Sequence, residues 1–220
     1  MRYDLTLTII SLLAAASGQA QTIVAEYTFS SNSFASSDAD TNSTASDITF
    51  PGISGETAGV SLQPGIDGSV GQLAPAYVFY MGNINDQGDD DVAGDTDAAE
   101  FSVTPSSSLD FTSFSFDFQK NSGGADIEID LFWSVDSYAT AIDSYTISDT
   151  GSWGSFSTDL SSLANQATTT TFRLQFFTTG GSPGNELYLD NVELQAVPEP
   201  SAFALLAGCL GLTWIMVRRR

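Results

Sequence analysis

The feature that most constrains this chain is the two-residue rhythm of its apolar side chains. Phe114, Phe116 and Phe118 alternate with Ser115, Asp117 and Gln119, and Ile127, Ile129, Leu131 and Trp133 alternate with Asp126, Glu128, Asp130 and Phe132. Successive side chains of an extended backbone point to opposite faces, so each run is a strand with one buried and one wet face. Asn121-Ser122-Gly123-Gly124 joins the two runs at hairpin length and predicts that they pair antiparallel. Further strands are expected at Thr22–Phe29, Gly59–Leu62, Tyr77–Met81, Ala99–Thr104, Ala141–Ile147, Ser152–Thr158, Thr171–Thr179 and Glu186–Gln195, with Gly-, Ser- and Asp-rich turns between them. No segment sustains a helical period apart from one turn at Asp159–Asn165. Short strands without interleaved helices predict an all-β fold, an antiparallel two-sheet β-sandwich of the jelly-roll kind.

One local irregularity sharpens this. In Leu187-Tyr188-Leu189-Asp190-Asn191-Val192-Glu193-Leu194 the apolar set changes parity, from Leu187 and Leu189 to Val192 and Leu194. A β-bulge at Asp190-Asn191 keeps both pairs on the core face. Phe172-Arg173-Leu174-Gln175-Phe176, a Gly-rich turn and then this segment resemble the closing hairpin of galactose-binding-like jelly rolls, which include many carbohydrate-binding modules. The resemblance spans Leu109–Leu194; a concanavalin-like sandwich is the competing architecture. It implies a structural calcium between an early strand and the last one, and the matching positions are Glu26 and Asp190. Calcium takes six to eight oxygens, so carbonyls and further carboxylates would have to join them.

Absences narrow the chemistry. The chain has no histidine, and its single cysteine, Cys209, falls in the apolar tail. Ser-His-Asp and Cys-His catalysis and the common zinc sites are thereby eliminated. The whole chain carries 27 acidic and 6 basic residues. Between residues 21 and 197 the only cations are Lys120 and Arg173. Such a surface repels phosphate backbones and anionic lipid headgroups, so no nucleic-acid partner is expected. It favours solubility and divalent cations.

The acidic run from Asn83 to Asp91 begins like a calcium loop, but position twelve of that register is Gly94 where a bidentate Glu is needed. It reads as a solvated loop. Asp38-Ala39-Asp40-Thr41-Asn42 has similar spacing and less support. Carboxylates are too common here for any pair to signal glycoside hydrolysis, and no glycosidase motif is present, so no enzyme is expected. Trp133, Tyr138, Tyr145 and Trp153 are the aromatic candidates for stacking on sugar rings. Trp133 shares parity with the core residues of its strand, whereas Trp153, flanked by Gly151 and Gly154, is the best exposed candidate for a ligand site.

The two ends read as addresses rather than fold. Arg2, the apolar stretch Leu5 to Ala16 and Gly18-Gln19-Ala20 form a secretory signal, with cleavage by signal peptidase expected after Ala20. Near the other end, Pro198 and Pro200 flank Glu199, and the uncharged run Ala202–Val217 leads into Arg218-Arg219-Arg220. As a helix that run covers about 24 Å, slightly less than a ~30 Å hydrocarbon core. The arginines are a membrane stop that stays cytoplasmic. Pro-Glu-Pro, short membrane helix and terminal arginine cluster, in that order, resemble the PEP-CTERM sorting signal of Gram-negative bacteria. The resemblance implies recognition at Pro198, Glu199 and Pro200 by exosortase, processing nearby, and delivery to the cell surface or exopolysaccharide matrix. The expected organisation is therefore a signal peptide over 1–20, a sandwich ectodomain over 21–196 and a sorting signal over 197–220. The expected function is an exported, non-enzymatic surface or exopolysaccharide-matrix protein. The alternatives are a carbohydrate-binding module holding extracellular polysaccharide and a calcium-stabilised adhesive protein.

Overall fold

A computed structural model describes residues 21–29, 32–49, 61–64, 77–84, 98–121, 124–148, 150–163, 165–179 and 185–198. The proposed signal peptide, Glu199, Pro200, the Ala202–Val217 run, the terminal arginines and the acidic loop after Ile84 lie outside these residues. Among the described residues no helix is long and apolar enough to cross a membrane.

Eleven strands carry the described fold. In chain order they are β1 (Thr22–Tyr27), β2 (Ser43–Ala45), β3 (Ser61–Pro64), β4 (Tyr77–Ile84), β5 (Ala98–Pro105), β6 (Leu109–Lys120), β7 (Asp126–Trp133), β8 (Asp143–Ile147), β9 (Gly154–Asp159), β10 (Thr170–Thr179) and β11 (Asn185–Pro198). They form two antiparallel sheets. Sheet A has the order β3-β4-β11-β6-β9, with β1 also paired to β11, and sheet B the order β2-β5-β10-β7-β8. The expected all-β, two-sheet architecture is present. The turn expected at Asp159–Asn165 is a non-helical reversal closed by Leu163 N–H donating to the Leu160 carbonyl at 2.7 Å. The one helical turn described is a 3-10 turn at Ser134–Asp136.

Two pairings differ from expectation. β6 and β7 are not partners: β6 lies between β11 and β9 in sheet A, and β7 between β10 and β8 in sheet B. Likewise β10 and β11, the expected closing hairpin, are the central strands of opposite sheets. Alternation fixes which face of a strand is apolar but not whether the next strand meets it edge to edge or face to face. Here the strands on either side of each short connection lie in different sheets, and stacked sheets pack ~10 Å apart.

The core is the facing apolar set of both sheets. Phe111 and Phe114 from β6 meet Phe101 and Phe172 from sheet B. Phe111 and Phe172 pack edge to face at 5.1 Å, and Phe101 stacks on Phe114 and Phe172 at 6.1 and 5.6 Å. These rings are all at most 3% exposed, and each contributes on the order of 1.5–3 kcal/mol through burial. The bulge on β11 lies where the parity change placed it. The register against β6 shifts between Asp190 and Glu193, and Asn191 is left-handed at φ 49°. Leu187, Leu189, Val192 and Leu194 all join the core as a result. At the same point the neighbour of β11 changes from β4 to β1.

The ladder sets a polarity. Thr22 at the start of β1 pairs with Ala196, and Pro198 at the end of β11 pairs with Leu109 at the start of β6. The first and last strands therefore lie side by side at one pole. Phe118 is nine residues along β6 from Leu109, so it lies ~30 Å towards the other pole.

Candidate functional site

At that far pole the edges of the two sheets, β8 and β9, stand apart and leave a cleft of about 270 Å³. Its position follows from register. Phe118 is opposite Gly154 at the last rung of the β6–β9 ladder, and Tyr145 on β8 is opposite Ile129 on β7. Both rings point between the sheets, and their centroids are 5.2 Å apart. Phe156 extends the cluster, 5.2 Å from Tyr145 and 5.0 Å from Phe116. Trp153, half-buried, stands beside them in the lining, and Ser148 and Ser152 of the same loop bring hydroxyls.

Gly154 is what lets Phe118 lie where it does. A Cβ there would come within 2.6 Å of the Phe118 Cζ and 2.9 Å of its Cε2, closer than packed atoms approach. The loop that carries Trp153 is tied to the end of β6. Gly151 N–H donates to the Lys120 carbonyl at 2.8 Å, and the Gln119 side-chain amide donates to the Gly151 carbonyl at 2.9 Å. Gly151 has φ +81°, a left-handed backbone that glycine adopts without strain. The indole N–H of Trp153 is turned inward and has no acceptor. Leaving it unpaired costs about 1–3 kcal/mol.

Of the four candidate aromatics, the structure brings Trp153 and Tyr145 together and separates the others. Trp133 packs against the core at the end of β7. Tyr138 is covered by the Arg173 guanidinium, 4.2 Å from its ring centroid, while Arg173 Nε donates to Glu100 Oε1. Phe118 and Gly154 were not read as site residues. Phe118 carries only the signal of a core strand, and its meeting with Gly154 needs the β6–β9 register.

The two positions suggested for calcium are engaged with different neighbours. Glu26 pairs with Glu193, three positions along β11 from Asp190, and its Oε2 accepts from the Ser37 hydroxyl at 2.9 Å. Asp190 is fully buried. Its Oδ1 accepts from the Asn191 N–H at 2.8 Å, and its Oδ2 has no hydrogen-bond partner. Burial pushes its carboxyl up to about 7. The Asn191 N–H opposes that shift, and the charge of Asp117 adds to it. An orphaned carboxylate oxygen suits a cation, but among the described residues no three acidic groups are arranged to hold a metal ion. Glu26 and Asp190 do not by themselves form a calcium shell.

Pro198, the first residue of the sorting motif, is the last paired residue of β11. Proline is tolerated at a strand end, where its missing N–H breaks no ladder.

No protein-family model matches the sequence, and no curated protein is significantly similar to it. Among solved structures it is similar to TmCBM61 in complex with β-1,4-galactotriose (12% identity, 78% of this chain, 94% of that one, TM-score 0.42). It is similar also to the CBM22-1 xylan-binding domain of Xyn10C from Paenibacillus barcinonensis (11%, 84%, 100%, TM-score 0.46). A third is the K3 adhesin domain of Lys-gingipain from Porphyromonas gingivalis (11%, 80%, 99%, TM-score 0.41). Likeness at this level transfers neither ligand nor site to this chain.

Proposed function

We propose that the sandwich is a non-enzymatic carbohydrate-binding module of the bacterial cell surface or exopolysaccharide matrix, with its saccharide held in the β8–β9 cleft. The observation that carries this reading is the meeting of half-buried Trp153 with Tyr145 and Phe118 around an opening otherwise lined largely by hydroxyls. Aromatic faces suit the C–H faces of pyranose rings, and hydroxyls suit their rims. The volume is below the ~300–1,000 Å³ of pockets for drug-sized ligands, so the cleft suits a short stretch of glycan. Among the described residues its lining includes no carboxylate, whereas glycoside hydrolysis needs two. In this reading the protein binds sugar without cleaving it.

The tail gives the destination. Export through the signal peptide and recognition of Pro198-Glu199-Pro200 by exosortase would deliver the module to the surface, with its cleft at the pole away from β11's end. Glycan-array binding by the full chain, abolished by Trp153→Ala with the fold intact by circular dichroism, is the expected result; retention of binding by that variant excludes this cleft. Replacing Pro198-Glu199-Pro200 with alanines is expected to leave uncleaved precursor in the membrane, and normal release of that variant would exclude the sorting route.

A further inference from the structure

In a chain with 27 acidic residues, none of the described residues lining the cleft carries a formal charge. The two cations of the domain are both committed elsewhere. The Lys120 ammonium is 1% exposed and its Nζ lies 3.9 Å from Asp126 Oδ1, and Arg173 is held by Glu100 and the Tyr138 ring. A uronate, sulfate or phosphate group entering the cleft would lose water without gaining a counter-charge, and a desolvated unpaired anion is strongly disfavoured. It would also approach a protein whose surface is overwhelmingly acidic. A neutral saccharide meets no such penalty. Its hydroxyls can pair with Ser148 and Ser152, and its C–H faces with the rings of Trp153 and Tyr145.

We propose that the cleft selects uncharged glycans and rejects acidic ones, the rejection coming from the absence of any free cation. This rests on the carbohydrate-binding reading of the same cleft and adds the class of sugar. Selectivity of this kind is built as much by what the site withholds as by what it offers.

The test uses the full chain in detergent and soluble glucan, galactan and mannan, each beside the same polymer oxidised at C6 to the uronate, with binding measured by calorimetry in 0.15 M NaCl and in chelator. The expected result is binding of at least one neutral polymer, at least tenfold weaker binding of its oxidised partner, and a narrower gap at high salt. Ser152→Lys, which places a cation on an exposed position of the lining loop beside Trp153, is expected to recover binding of the oxidised polymer. Equal or tighter binding of an oxidised polymer, abolished by Trp153→Ala, would overturn the selectivity while leaving the carbohydrate site standing. Binding of no polymer in either form would overturn both.

Discussion

The two edges of the sandwich are closed by different chemistry. Where β1 meets β2 and β5, the Tyr27 ring packs on Phe101 at 5.3 Å and its hydroxyl donates to the Ser46 carbonyl at 2.6 Å, while Ser43 Oγ donates to the Val24 carbonyl at 3.4 Å. Tyr27 is fully buried, and burial, then the charges of Asp47 and Asp38, push its phenol far up, so it stays a neutral donor at every physiological pH. Where β8 meets β9, contact is through rings: Phe118, Tyr145 and Phe156. Directional hydrogen bonds sew the first edge shut. Tilted aromatic contacts hold the second together without filling it, and the remaining space is the cleft.

Damage at the two edges is therefore expected to have opposite signatures. Tyr27→Ala removes a buried ring and orphans the Ser46 carbonyl, and is expected to destabilise the full chain by ~3–5 kcal/mol in urea unfolding with little change in glycan affinity per folded molecule. Tyr145→Ala is expected to cost only about 1–2 kcal/mol and to abolish binding. Equal losses of stability at both edges would end the comparison.

Asp190 adds a pH dependence on the closed side, at the point where β11 passes from β4 to β1. Its folded pKa, about 7, lies above the ~3.9 of an unfolded aspartate, so the folded state holds the proton more tightly. Its contribution to stability is fully present below pH ~4, is lost as pH rises to about 7, and is constant above that, a swing on the order of 2–4 kcal/mol. Melting temperature of the wild type is expected to fall over that window more steeply than in Asp190→Asn. Parallel profiles for the two proteins would show that the carboxyl is not held neutral.

On the open side, Gly154→Ala drives a methyl group into the Phe118 ring. The expected cost is about 1–3 kcal/mol, and displacement of Phe118 should lower glycan affinity several-fold. Unchanged affinity would show that Phe118 is not part of the binding surface. The smallest effect concerns calcium. Because Glu26 and Asp190 face different partners, Asp190→Asn is expected to leave any shift of the midpoint between saturating calcium and chelator unchanged within about 1 °C. A rise of several degrees, lost in Asp190→Asn, would place a cation at the bulge.

Much of the architecture was legible from alternation alone. Phe114, Phe116 and Phe118 declared a core face, and the parity change around Asp190 located a bulge that the structure shows with Asn191 left-handed. β2, at Ser43–Ala45, escaped notice because three residues without an apolar alternation carry no period. Pairing was the least legible part: the short links after Lys120 and after Thr179 look like hairpins in sequence, yet the strands they join lie in different sheets. The site was half legible. Trp153 stood out between Gly151 and Gly154. Tyr145 and Phe118 became its neighbours only through two separate registers, β7 with β8 and β6 with β9, which no local pattern encodes.

The side-by-side placement of Thr22 and Ala196 makes the domain a pendant rather than a bead on a string. Spliced into a surface loop of a host protein through these neighbouring ends, it would hang from a single attachment point, as inserted domains with adjacent termini do. The tip bearing Trp153 would then project ~30 Å from the host whichever end took the load.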